Sequence, residues 1–233
     1  ILSKEFECEI RAKLPAEELP ATIHEYDGLV VRSASKVTKE VIEAATNLKV
    51  IGRAGVGVDN IDIEAATAKG IIVLNAPEGN TIAATEHTVA MMLSMARNIP
   101  QAHSSVQNGE WKRNQFVGVE MRGKTLGVIG LGRIGSGVAK RAIAFDMKVI
   151  GYDPYVNEER AKTMGIEVVS LEEIYANADF ISVHMPLTAQ TKDLINSETI
   201  SKMKDGVYLV NCARGGIINE ADLAEAVKAG KVA

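Results

Sequence analysis

Three glycines, one aspartate and one arginine carry the chemistry this sequence can do. Residues 126–135 read L-G-V-I-G-L-G-R-I-G, an apolar run ending in G-x-G-x-x-G at Gly130, Gly132 and Gly135. Such a run makes a strand, a tight turn and the start of a helix. The glycines allow the turn, close approach of backbone to a pyrophosphate, and tight helix–strand packing. The helix N-terminus offers unpaired N–H groups to the phosphates. A second apolar run closes on Asp153, 18 residues beyond Gly135 (153 − 135). An acid about 20 residues beyond the glycines accepts hydrogen bonds from an adenosine ribose. Together these features point to dinucleotide binding. The plainer alternative is a glycine-rich turn in an unrelated α/β protein. Arg214 lies in N-C-A-R-G-G at 211–216, just past another apolar run. Residues past the carboxyl end of a strand face the ligand crevice of an open sheet. A guanidinium there can bind a carboxylate with two bonds and polarise a carbonyl. Position alone leaves an ordinary loop arginine equally open.

The elements that must position these residues alternate between short apolar runs and helical patterns, the signature of parallel βαβ units. In the first block the pattern predicts strands at Gly28–Val31, 49–51 and 71–74, a helix capped by Thr38 and another near Asp62. In the second it predicts strands at Thr125–Ile129, Lys148–Tyr152, Phe180–Val183 and 207–210. Helices begin near Arg133, Asn157, Leu171, Ser197 and Asn219, and Ser170 with Glu173 forms a capping box. The turn-rich stretch 75–80 marks a domain boundary. One long helix is expected from Thr81 to about residue 106. Its middle, 89–96, is apolar nearly all round, so it buries two faces, as a core helix or as a subunit contact.

Of the 233 residues, 46% are hydrophobic and 24% charged, an ordinary soluble composition. A net charge of −4 leaves no basic footprint and argues against general nucleic-acid binding. No apolar stretch is long enough to span a membrane, and no signal peptide opens the chain. Two cysteines, Cys8 and Cys212, make no disulfide framework and fit a reducing cytosol. His24, His87, His103 and His184 lack metal-ligand spacing, so no metal is expected. His24 reads as solvated, and His87 and His103 as helix-surface or interface residues. Both ends read as cut: residues 1–4 resemble the tail of a helix, and residues 230–233 the start of a strand.

Further motifs are R-A-G-V-G-V-D-N at 53–60, N-A-P-E-G-N at 75–80, Y-D-P at 152–154 and V-H-M-P at 183–186. With the glycine turn and the arginine loop, this ordered set resembles the D-isomer-specific 2-hydroxyacid dehydrogenases. The resemblance implies an α/β protein of two domains. Residues 1–76 would be a partial, flavodoxin-like substrate domain, and 77–233 a Rossmann-type doubly wound parallel sheet missing its last part. It implies NAD as coenzyme, held by Gly130, Gly132, Arg133, Ile134, Gly135, Asp153, Met185, Pro186, Thr191, Cys212 and Ala213. Asp153 would favour NAD over NADP by repelling a 2′-phosphate.

Arg214 would be the catalytic arginine, and Arg32, Ser33, Val56 and Gly57 would meet the substrate. Where Ala34 stands, some bacterial relatives carry a further arginine. Where Val56 stands, some carry Thr, so only a backbone contact is carried over. Trp111-Lys112-Arg113 adds positive charge or is a solvated loop. The family's proton-transferring histidine and its carboxylate lie downstream of the arginine, outside this chain, so the chain alone is expected to bind NAD with little turnover. His184 belongs to a segment that lines the coenzyme side, and Cys212 is read as a packing residue. The implied reaction is oxidation of 3-phospho-D-glycerate to 3-phosphohydroxypyruvate. The alternatives are another D-2-hydroxyacid dehydrogenase, such as a glyoxylate or hydroxypyruvate enzyme, and a non-catalytic NAD-sensing corepressor. A cytoplasmic homodimer or homotetramer, joined through the coenzyme domain, completes the expectation.

Overall fold

Short runs rich in β-branched residues become the strands of two separate sheets. The computed structural model describes residues 2–11 and 17–233. They divide into two compact units, Ile1–Asn80 and Thr81–Ala233.

In the first unit, β1 (Gly28–Val31), β2 (Val50–Arg53) and β3 (Ile72–Asn75) pair in parallel in the order β1-β2-β3. The register sets Val31 beside Arg53 and Arg53 beside Asn75 along the carboxyl edge. Here β2 and β3 run one to two residues further than their apolar runs do, which brings Arg53 and Asn75 into the sheet. Helices α1 (Leu19–Thr22), α2 (Lys39–Ala44) and α3 (Ile63–Ala68) accompany the strands. Val31 and Ile51 pack with Val41, Ile42 and Ala66 in one core. Side chains alternate across a strand, so the opposite face carries Val30, Ile72 and Leu74, which are 59%, 61% and 57% exposed. Thr38 sits at the N-cap of α2 without a capping side-chain bond, whereas Asp62 accepts from the Ala65 N–H at α3.

The second unit has five parallel strands: β4 (Thr125–Ile129), β5 (Lys148–Tyr152), β6 (Glu167–Val168), β7 (Phe180–Val183) and β8 (Tyr208–Asn211). Their order is β6-β5-β4-β7-β8. The chain moves outward from β4 to β6 and then returns to β7, so the order reverses between β4 and β7. Ligands of doubly wound sheets bind outside the carboxyl ends at that switch point. Helices α4 (Thr81–Ala96), α5 (Ile99–Gln107), α6 (Arg133–Ala144), α7 (Glu158–Thr163), α8 (Leu171–Asn177), α9 (Ser197–Ser201) and α10 (Glu220–Lys228) complete the unit. Both sheet faces are buried. Leu126 and Val128 pack with Val138 and Ala142 on one side. Ile129, Ile150 and Ile181 pack with Ile174 and Tyr175 on the other.

Two expectations need correction. The helix expected from Thr81 to about residue 106 is two helices. Asn98 adopts the left-handed conformation at φ 52°, and Pro100 follows at the start of α5. A proline inside a helix loses a hydrogen bond and clashes with the preceding turn, so the first helix stops before it. The two-residue β6 was also not anticipated, since its Glu167 breaks any apolar run. In α4 the buried stripe is Thr85, Thr88, Met92 and Ala96, while Met91 is 41% exposed. A Cβ on Gly137 of α6 would lie 2.8 Å from Thr85 Oγ1, which shows how tightly α4 and α6 approach.

Candidate functional site

The turn after β4 is built around missing side chains. Gly130 has φ +100°, and a Cβ there would lie 2.8 Å from the His184 carbonyl carbon. A Cβ on Gly135 would overlap the Gly130 carbonyl oxygen. Those two glycines are needed by the protein itself. Gly132 differs, for a Cβ there would meet nothing within 4 Å. It therefore keeps open the space above the start of α6, the end at which the helix dipole is positive.

Asp153 ties this turn to the end of β5. Its Oδ2 accepts from the Leu131 N–H at 2.9 Å, and its Oδ1 from the Tyr155 N–H at 2.8 Å. The Gly130 N–H donates to the Tyr152 carbonyl at 2.7 Å. A carboxylate offers about four acceptor sites. Two are used here, which leaves two for a pair of ribose hydroxyls.

At the end of β7 the His184 N–H donates to the Ile129 carbonyl at 2.7 Å. The imidazole Nε2 lies 2.8 Å from Ser182 Oγ. Burial lowers the pKa of this ring from 6.5 to about 4, so it is neutral and a weak proton acceptor near pH 7. Met185 is half-buried against the turn and Pro186 is exposed. Thr191 is buried, and its hydroxyl donates to the Pro186 carbonyl at 2.6 Å. The Thr191 hydroxyl oxygen in turn accepts from the Thr188 N–H at 2.8 Å. Thr191 thus shapes the loop from within.

The loop after β8 is closed by Asn211. Its Oδ1 accepts from the Ala213 N–H at 3.0 Å, and its Nδ2 donates to the Arg214 carbonyl at 2.8 Å. Arg214 Nη1 donates to the Ala213 carbonyl at 2.9 Å. Arg214, Cys212 and Ala213 line a cavity of about 440 Å³ with His87, Met91 and Met95 of α4. Those three α4 residues lie four apart and so share one helix face. Sequence reasoning left His87 as a helix-surface or interface residue. It is exposed and also lines this cavity; the spacing with Met91 and Met95 was the available signal.

In the first unit, Arg32 and Ser33 are exposed just past β1. Asn60 Nδ2 donates to the Arg32 and Ser35 carbonyls at 3.0 and 2.6 Å and so holds that loop. Val56 and Gly57 are half-buried, and the Val56 carbonyl accepts from Asn75 Nδ2 at 2.7 Å. Asn60, Asn75 and Asn211 were all missed in the sequence, because each grips a loop through side-chain bonds that no local motif announces.

Residues 89–233 match the family model described as "D-isomer specific 2-hydroxyacid dehydrogenase, NAD binding domain". The chain belongs to the D-isomer specific 2-hydroxyacid dehydrogenase family. It is 56% identical to the D-3-phosphoglycerate dehydrogenase of Archaeoglobus fulgidus over 97% of its own length and 43% of that protein. It is 56% identical to that of Methanocaldococcus jannaschii over 100% of its length and 44% of that protein. Hence it spans under half the length of these relatives. Among solved structures it resembles an Aquifex aeolicus D-lactate dehydrogenase complexed with NAD and lactic acid. That match has a TM-score of 0.85 and 37% identity, over 95% of this chain and 65% of that one.

For a member of this dehydrogenase family the fit to NAD can be judged on the turn itself. The open space at Gly132, the positive N-terminal end of α6 beneath it and the acceptor capacity of Asp153 beyond its two backbone bonds suit a pyrophosphate and its adenosine ribose. Among the described residues no group of His, Cys, Asp and Glu could hold a metal ion, and no helix is long and apolar enough to cross a membrane.

Proposed function

We propose that this chain is the coenzyme-binding part and a portion of the substrate-binding part of an NAD-dependent D-3-phosphoglycerate dehydrogenase. The reaction is oxidation of 3-phospho-D-glycerate to 3-phosphohydroxypyruvate. The observation that carries this reading is 56% identity to D-3-phosphoglycerate dehydrogenases over nearly the whole chain. Identity to the D-lactate dehydrogenase structure is lower, at 37%.

In this reading the second unit holds NAD through Gly130, Gly132, Arg133, Ile134, Gly135 and Asp153. Met185, Pro186 and Thr191 shape the adenosine end, and the Cys212-Ala213 backbone faces the nicotinamide. NAD supplies one chemistry, acceptance of a hydride. Arg214 binds the substrate carboxylate and polarises the carbonyl that forms, and its loop is kept in place by Asn211. The first unit offers Arg32, Ser33, Val56 and Gly57 to the substrate. Asp153 favours NAD over NADP, because a carboxylate at the ribose repels a 2′-phosphate.

The test is NAD reduction assayed with 3-phospho-D-glycerate and with D-lactate. Preference for D-lactate would replace the substrate, and NAD binding with neither substrate oxidised in the whole protein would favour a non-catalytic NAD sensor. Ile82, Met91, Ile99 and Val106 are exposed on α4 and α5, which supports a homodimer or homotetramer joined through the second unit. Sedimentation as a monomer at micromolar concentration would remove that part. Two free cysteines suit a reducing compartment such as the cytosol.

A further inference from the structure

We infer that Arg53 is a further anion-binding residue of the first unit, its guanidinium seated on Gly55 to receive the carboxylate or phosphate of a small acid. The inference rests on the reading of that unit as substrate-binding and adds a residue to it.

Arg53 is the last residue of the central strand β2. Its neighbour across the ladder is Val31, and Arg32 follows directly. Both arginines therefore rise from the same carboxyl edge. The Arg53 side chain folds back over its own loop. A Cβ on Gly55 would overlap Arg53 Nη1 and come within 2.8 Å of Cζ. Glycine at 55 is thus what lets the guanidinium lie there. Nη1 donates to the Ala54 carbonyl at 3.1 Å. Nε is buried and has no hydrogen-bond partner among the described residues.

A buried donor on a charged group is costly to leave unmade. Buried polar groups are almost always paired, so the unmet Nε–H of a charged side chain calls for a partner. The Nε and Nη2 hydrogens also form a parallel fork, the edge on which guanidinium takes a carboxylate or phosphate with two bonds. The loop beneath is firm. The Ala54 N–H donates to the Val31 carbonyl at 2.9 Å, and Asn75 holds the Val56 carbonyl. The arrangement is a cation held in place on its own loop with one donor of its fork unmet, which an anion reaches by a small turn of the guanidinium.

The experiment uses the chain itself. Inorganic phosphate, D-glycerate and 3-phospho-D-glycerate are titrated separately and followed by amide chemical shifts, with NAD binding measured by calorimetry on the same samples. Arg53→Gln is expected to weaken 3-phospho-D-glycerate binding about ten- to a hundredfold, the scale of charge-assisted hydrogen bonds. Its NAD affinity should stay within about twofold and its Tm should hold or rise, because an unmet buried donor is removed. Arg53→Lys keeps the stem and the charge, and so the fold; it should also lose the acid, since an ammonium has no fork. A loss read with inorganic phosphate assigns the phosphate group, and one read with D-glycerate assigns the carboxylate. Full acid affinity in either variant, or no acid binding by the unmodified chain, overturns the proposal. Acid binding that depends on Arg53 in a chain that fails to bind NAD would sink the dehydrogenase reading and leave Arg53 standing.

Discussion

The two sheets end in loops that use glycine for opposite purposes. At the five-stranded sheet, in the function proposed above, glycine clears side chains so that the backbone can meet the coenzyme. Gly132 leaves open space, and the donors are main-chain N–H groups braced by the Asp153 carboxylate. At the three-stranded sheet, Gly55 clears a side chain so that another side chain, Arg53, can lie down. One edge presents backbone donors and the other side-chain cations. Backbone donors suit a ligand whose phosphates must come close, and guanidinium forks suit a planar carboxylate or a phosphate. Both edges share one device, an asparagine that grips the loop: Asn211 in one unit, Asn60 and Asn75 in the other.

The strongest way to break this comparison is to add a methyl group at each kind of glycine. Gly135→Ala puts a Cβ into the Gly130 carbonyl. It is expected to destabilise the second unit by about 3 kcal/mol, the upper end of overpacking costs, and to abolish NAD binding. Gly132→Ala meets nothing within 4 Å, so its Tm should hold while NAD affinity falls. In the first unit, Gly52→Ala would place its Cβ 3.5 Å from Val30 Cγ2, an ordinary contact, and should move neither reading. Thermal unfolding and calorimetry on the three variants decide the matter. Unchanged NAD affinity in Gly132→Ala would mean that the open space is not the ligand's.

The next effect concerns acid. His24 in the first unit is exposed, while His184 in the second is held neutral by burial, with its pKa lowered from 6.5 to about 4. The unfolded ring takes a proton below pH 6.5 that the folded ring refuses. Stability from this site is therefore complete above pH 6.5, falls as pH drops, and levels off below about 4. Between pH 7 and 5 the loss should be about 2 kcal/mol. His184→Gln should flatten that part of the stability–pH curve. An equally steep fall in the variant would assign the acid sensitivity to other groups.

Asp153→Ala removes the acceptor of two backbone N–H groups as well as the ribose partner. NAD affinity should fall about tenfold or more, since bonds to a charged acceptor are worth about 1.5–3 kcal/mol each. Hydrogen exchange at the Leu131 amide should quicken even without coenzyme. If affinity falls while that amide stays protected, Asp153 acts on the ribose alone and does not brace the turn.

How much of this was legible in the sequence follows from the range of each interaction. The glycine turn, Asp153 and the Ser170 capping box are local patterns, and each is found where its spacing placed it. The strands were legible as apolar runs, but two of them extend to Arg53 and Asn75, because ladder pairing continues past the apolar stretch. Asn75 gripping Val56, and Asn60 gripping Arg32, join residues 19 and 28 apart, and no composition marks them. Arg53 is a different failure. R-A-G reads as a loop after a strand, and nothing in those letters says that the arginine folds back over the glycine.

The smallest effect compares how one helix of each unit, α8 and α2, is started. In the second unit Ser170 accepts from the Glu173 N–H at 3.2 Å, and Glu173 Oε2 accepts from the Ser170 N–H at 2.9 Å. Two orphan donors of the α8 terminus are thereby met. In the first unit Thr38 occupies the same position on α2 with an extended backbone, yet its side chain accepts no capping bond. Removing a working cap costs about 1 kcal/mol. Ser170→Ala should therefore cost about that much, and Thr38→Ala only a few tenths, because no capping bond is lost there and its exposed hydroxyl contact with Glu40 is worth little. Denaturant unfolding of each variant against the unmodified chain reads the difference. An equal cost at both positions would show that Thr38 closes its cap in solution and that the two helix starts are alike.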